Sequence, residues 1–215
     1  MHELHASIAR GTGQPASTMF ILGHTGITFG VAVATHSLST PSRETKHTRS
    51  SLGARIRGQV RGLSKSFDLR LLMIGSLLPD IIDKPLGLLL LSDVYGTGRL
   101  FAHSLIFVVA IGLAGLWLHR THGRNWLLVL AFGSAMHLLL DAMWRTPSIL
   151  LWPSVGSLPQ GGAPEAWFPS ILAAPTQNTS AMVSEIVGLA LLIPLIWMVL
   201  RGAGLRRFLR HGTVE

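Results

Sequence analysis

Long apolar stretches, separated by short clusters of charge, set the pattern of this chain. Met19–Leu38, Leu69–Ser92, Leu100–Leu118, Trp126–Met143 and Val183–Leu200 each approach the ~20 mostly apolar residues that a helix needs to cross hydrocarbon. They predict an all-α, polytopic membrane helical bundle of about five transmembrane helices. Pro85 lies inside the second stretch and is expected to break it, bringing Leu86–Ser92 round as a separate half-helix. Between the first two stretches, Leu52, Ile56, Val60, Leu63 and Phe67 recur at helical spacing, with Arg55, Arg57, Arg61 and Lys65 among them. That alternation predicts an amphipathic helix lying on an anionic leaflet. Ser148–Pro153 and Ala166–Pro175 are too short to cross and read as interfacial or re-entrant pieces of an outer loop, 144–182. Gly26, Gly30, Gly112 and Gly115 suit close helix packing. The chain thus divides into a flexible tail (1–18), one transmembrane helical domain (19–200, with a basic loop at 39–68) and a basic tail (201–215).

Composition narrows the chemistry. The 215 residues include no cysteine, which excludes disulfides and thiolate metal sites; any metal must be held by His, Asp, Glu or backbone oxygen. Apolar residues make up 48% and charged residues 13%, and the mean hydropathy is +0.46, as in a bundle of membrane helices. The net charge of +8 could point to nucleic acid, but its placement points elsewhere. Seven basic residues fall between 39 and 68 (Arg43, Lys46, Arg49, Arg55, Arg57, Arg61, Lys65), Arg120 and Arg124 lie between the third and fourth stretches, and Arg201, Arg206, Arg207 and Arg210 follow the last. With five spans, all three regions share one side. The positive-inside rule then puts the N-terminus outside and the C-terminus in the cytoplasm of a cell (inner) membrane. No aromatic residues interleave with these charges as single-strand binding requires, so membrane lipids, not nucleic acid, are the expected partner.

Against this apolar background a few polar residues stand out. Asp80, Asp83 and Asp141 lie inside apolar stretches, where a charged Asp costs ~2.5–3.5 kcal/mol on insertion scales. His24, His103 and His137 do the same. Followed along the predicted topology, the three histidines and Asp141 fall near the outer end of their spans. His137 and Asp141 are i,i+4 and share a helix face; Asp80 and Asp83, at i,i+3, share another. Two carboxylates so close repel unless a cation or proton lies between them. Glu185 opens the last stretch at the same end and is a weaker candidate. His36, His47, His119, His122 and His211 fall at the basic end and read as solvent or headgroup contacts. The chain has no G-x-S-x-G elbow, P-loop or H-E-x-x-H helix.

Four sequence pieces carry a family resemblance: His24-Thr25-Gly26; Gly75 to Pro85, containing Leu78-Pro79-Asp80 and Asp83; Gly98-Arg99 followed by His103-Ser104; and His137-Leu138-Leu139-Leu140-Asp141. Together they resemble the YdjM-type family of inner-membrane metal-dependent hydrolases, itself similar to the zinc-dependent phospholipase C and single-strand nuclease group. The resemblance implies that His24, Asp80, Asp83, His103, His137 and Asp141 bind metal; in the wider group, His and Asp one turn apart hold a multinuclear zinc centre. Gly98 stands where the family commonly has His, and Asp80 and Asp83 are one residue farther apart than is common.

The expected activity is hydrolysis of a phosphoester, small or lipid-linked, with divalent zinc (or manganese or iron) lowering the pKa of a bound water and, if paired, clamping the phosphoester oxygens. Asp80 and Asp83 are the expected catalytic carboxylates, and Arg99 the phosphate ligand. Two alternatives stay open: a non-catalytic membrane protein stapled by its metal, and an ion transporter, which would need polar groups at several depths.

Overall fold

The computed structural model describes residues 21–39, 52–155, 157–160, 179–201 and 204–214. The described residues form helices α1 (Ile21–Ser39), α2 (Leu52–Ser66), α3 (Leu69–Pro85), α4 (Leu105–His122), α5 (Trp126–Leu140), α6 (Pro147–Leu150), α7 (Thr179–Leu200) and α8 (Gly204–His211). The expected N-terminal tail, the segment at 166–175 and the first part of the basic loop, 40–51, lie outside the described residues.

Local chemistry sets the ends of the helices. Asp68 caps α3, accepting the Arg70 backbone N–H at 2.9 Å and gripping its guanidinium at 2.6 and 3.0 Å. Partial burial pushes the Asp68 carboxyl pKa up, but the Arg70 contacts outweigh it and hold the group below its ordinary range. Ser104 caps α4 by accepting from the Phe107 N–H, and Gly123, at φ +67°, ends it in the left-handed conformation that glycine adopts without strain. Pro85 does not break the second apolar stretch into a separate half-helix. The chain runs straight into a π-helical turn at Leu86–Leu90, closed by Leu91 N–H to Leu86 C=O at 2.7 Å.

The long helices alternate in direction, and glycines set their closest approaches. Gly23, Gly26 and Gly30 of α1 meet Ser184, Gly188 and Leu191 of α7 in order, so the two helices are parallel. Gly75 and Ser76 of α3 meet Leu130 and Gly133 of α5, also in parallel. Gly115 of α4 meets Leu128, so α4 and α5 form an antiparallel hairpin. A Cβ at Gly26 would overlap the Gly188 backbone, whereas one at Gly112 would meet nothing within 4 Å; Gly112 is not a packing glycine. Gly26→Ala should therefore lower the thermal midpoint of the detergent-purified protein, by an overpacking cost of about 1–3 kcal/mol, and Gly112→Ala should not. Equal midpoints would contradict the α1–α7 contact.

The main core joins Phe29 of α1, Val60 and Leu63 of α2, Leu69 and Leu72 of α3, Val129 of α5, and Leu192 and Leu195 of α7. The apolar stripe of α2 meets this core: Val60 and Leu63 are each 1% exposed and packed inside the bundle, while Leu52 at the start of the helix stays 73% exposed. The C-terminal segment also docks. Leu69 N–H donates to Gly212 C=O at 3.1 Å, Arg70 donates to Leu209 C=O at 2.7 Å, and Val214 is buried.

Two helices, α4 and α7, are long and apolar enough to cross a membrane; α5 is apolar but shorter. The other predicted spans fall short for visible reasons. α5 has 15 residues. α3 carries Arg70, Asp80, Asp83 and Lys84, and α1 carries His24, Thr25, Thr28, Thr35 and His36. α4 buries only Gly115 and leaves Leu113 and Trp117 each 62% exposed, an outward apolar face of the size that marks contact with a membrane or partner.

Candidate metal centre

All six residues implicated by sequence arrive at one end of the bundle. His24 lies in the first turn of α1, Asp80 and Asp83 in the last turns of α3, His103 just before α4, His137 in the last turn of α5, and Asp141 at its C-cap. Alternating helix directions are what bring starts and ends together.

Five of the six converge. His24 Nε2 lies 3.1 Å from Asp141 Oδ1, and His103 Nε2 lies 3.2 Å from His137 Nε2. Asp80 Oδ1 stands 3.6 Å from His103 Nε2 and 3.8 Å from His137 Nε2, and Asp141 Oδ2 stands 4.0 Å from His103 Nε2. A tetrahedral zinc with ligand bonds of ~2.1 Å would hold its donors ~3.4 Å apart. These separations bracket that value, so the donor set fits a divalent ion.

Hydrogen bonding explains why the imidazoles point this way. The Nδ1–H of His137 donates to Ser76 C=O at 2.8 Å, and that of His103 donates to Asp83 Oδ2 at 2.8 Å; the tautomers follow from these partners. Each ring thus turns its Nε2 lone pair inward. Two bare lone pairs 3.2 Å apart repel, and a shared cation or proton removes the repulsion. Fixing one ring nitrogen so that the other can ligate is the usual support of a metal-binding histidine.

The donors form two overlapping sets, His24–His137–Asp141 and Asp80–His103–His137. Both use His137, whose Nδ1 is already engaged. The two sets share this one Nε2.

Asp83 is the sixth residue, and it belongs to neither set. It is fully buried, and its oxygens accept from Leu100 N–H at 2.7 Å, Ala102 N–H at 3.0 Å, His103 N–H at 3.1 Å and the His103 ring. With its acceptor positions filled, it orients His103 and does not reach into the centre. Arg99 is also engaged: Nε and Nη2 bond Asp141 Oδ2 at 3.1 and 2.8 Å. Lys84 pairs with Asp80 Oδ2 at 2.6 Å, one helical turn away. At Gly98, the departure from the common family form, a Cβ would press on Lys84 Cγ at 3.0 Å. Glu185 is no donor to the centre. It accepts from Leu22 and Gly23 N–H at 3.1 and 2.7 Å, capping α1 one turn from His24.

The centre is nearly closed. The His103 and His137 side chains are 0% exposed and those of His24 and Asp141 2%, against 21% for Asp80 and 11% for Arg99. Any approach is from the Asp80–Arg99 side.

The family model described as YdjM inner membrane protein matches residues 19–207. No curated protein and no solved structure gives a significant match.

Proposed function

We propose, since this chain belongs to the YdjM inner membrane protein family, that it is a membrane-bound hydrolase that uses one divalent ion to cleave a phosphoester. The observation that carries the proposal is the convergence of three imidazole Nε2 atoms and two carboxylates at ligand spacing, with one donor still open to solvent. An ion held there supplies Lewis acidity and a water of lowered pKa. His24, His103, His137 and Asp141 are its inner holders. Asp80, on the open side, is placed to take the proton of an attacking water, and the Lys84 ammonium keeps that carboxylate oriented. Arg99 holds Asp141 by one oxygen and lies at the same opening, where its positive charge favours an incoming phosphate. Asp83 touches neither substrate nor ion; it is a positioning residue for His103.

The five-span topology expected from the sequence would complete the reading. In it α1, α4 and α7 run inward and α3 and α5 outward, which would set the centre just beneath the outer headgroups and favour a substrate whose phosphate lies at that depth, such as a lipid-linked one.

Asp80→Asn tests the catalytic claim. The variant should keep bound metal, because three histidines and Asp141 remain, and should lose turnover of an aryl phosphodiester by about 10²–10⁴-fold, the usual contribution of a general base. Undiminished turnover would remove Asp80 from the chemistry. Metal-loaded wild-type protein that cleaves no soluble or lipid phosphoester would leave the second reading, a metal staple, which the near-complete burial of the other four donors favours.

A further inference from the structure

At the end of the bundle opposite the metal centre, two cations meet on one aromatic ring. The Arg201 guanidinium carbon lies 3.6 Å from the centroid of Trp197, and that of Arg57, from α2, lies 5.2 Å from it. Neither arginine has a carboxylate partner among the described residues. The ring contributes cation–π attraction, about 0.5–1 kcal/mol at an exposed site, but two guanidiniums this close still repel each other. The same helix α2 also carries Arg55, Arg61 and Lys65, and α8, which follows α7, carries Arg206 and Arg210. The acid at this end among the described residues, Asp68, is taken by Arg70. The arrangement is built for an anion, and planar guanidiniums match phosphate oxygens two at a time.

The neighbouring side chains identify which anion. Ile193, Trp197 and Leu200 are spaced four and three apart and share one face of α7, and Arg201 follows directly at its end. Ile193 is 57% and Leu200 70% exposed, so a hydrocarbon surface runs directly up to the two arginines. A ligand filling this face carries an apolar chain beneath a negatively charged head. A soluble phosphate would leave the apolar part bare.

We infer that Arg57, Trp197 and Arg201 form a binding site for the headgroup phosphate of an anionic phospholipid, in the leaflet opposite the metal centre, with its acyl chain along Ile193 and Leu200. The lipid would bridge α2 to α7. This does not depend on the hydrolase reading.

The test is native mass spectrometry of the full chain in detergent, with phosphatidylglycerol and phosphatidylcholine of matched chains supplied in equal amounts. Wild-type protein should retain phosphatidylglycerol preferentially. Arg57→Gln with Arg201→Gln should weaken that retention about thirty-fold, from two basic contacts of ~1 kcal/mol each. Arg57→Lys with Arg201→Lys, which keeps the charge but not the planar stack, should lie between. Arg120→Gln with Arg124→Gln, at the same end but away from Trp197, should behave as wild type; circular dichroism checks that each variant is folded. The inference is overturned if the folded Gln pair retains phosphatidylglycerol like wild type, or if the Arg120/Arg124 control loses it equally. It is also overturned if inorganic phosphate alone displaces the lipid, or if the pair binds single-stranded RNA in preference to lipid.

Discussion

His137→Ala should empty the metal centre. Wild-type protein purified in detergent and loaded with zinc should carry one ion per chain by elemental analysis, and the variant none. The expected effect is all-or-none because His137 stands in both donor triads. Removing any other donor leaves one triad whole, whereas without His137 no three of the remaining donors, His24, Asp141, His103 and Asp80, lie within reach of one another. That falls short of the three protein ligands usual for a bound zinc. His36→Ala, at the other end of α1, should keep the full complement. Metal retained by His137→Ala, or none taken up by wild type, would end the single-ion assignment.

Asp83→Ala should be the most destabilising substitution at this end of the protein. It would strand three backbone N–H groups and the His103 ring N–H in a fully buried site. Each lost partner costs ~1–3 kcal/mol, and removing one member of a buried charged pair typically costs ~3–5 kcal/mol. The variant should either fail to accumulate or unfold at a much lower temperature in detergent. Asp83→Asn, which keeps the shape and one acceptor, should fold and bind metal ~10–100-fold more weakly, as when the partner of a ligating histidine is lost. A ligand role would predict the reverse balance, lost metal with intact stability, and the Ala variant decides between them.

The contrast between Asp80 and Asp83 shows how far sequence reading reached. Their i,i+3 spacing put both on one face of α3, which the structure shows. It could not reveal that the segment from Gly98 to Ser104 folds over Asp83 and consumes its oxygens with backbone N–H groups, because main-chain donors leave no trace in residue identity. The convergence of His24, His103, His137 and Asp141 was legible because each lies near the same end of its apolar stretch, and alternating helices carry that depth into space. α2 marks another limit. Its apolar stripe at Ile56, Val60 and Leu63 was visible, but periodicity does not say whether the surface it meets is lipid or protein. Pro85 was overread for a related reason: proline forbids one hydrogen bond, and the loss of one bond at the last position of α3 does not stop the chain from continuing into a helical turn.

The parallel pairing of α1 with α7 bears on how the chain can be assembled. The first long helix finds its last partner only when Glu185, 162 positions beyond Gly23, has been made. The donors, by contrast, are complete at Asp141. An ion captured at that stage would tether the start of α1 to the end of α5 while the remainder is still being synthesised. The loop α7 must later close is then effectively shorter, and its conformational penalty smaller, since closure entropy grows with loop length. On this view metal supply during synthesis, and not only in the finished protein, would govern how much of the chain reaches its folded form.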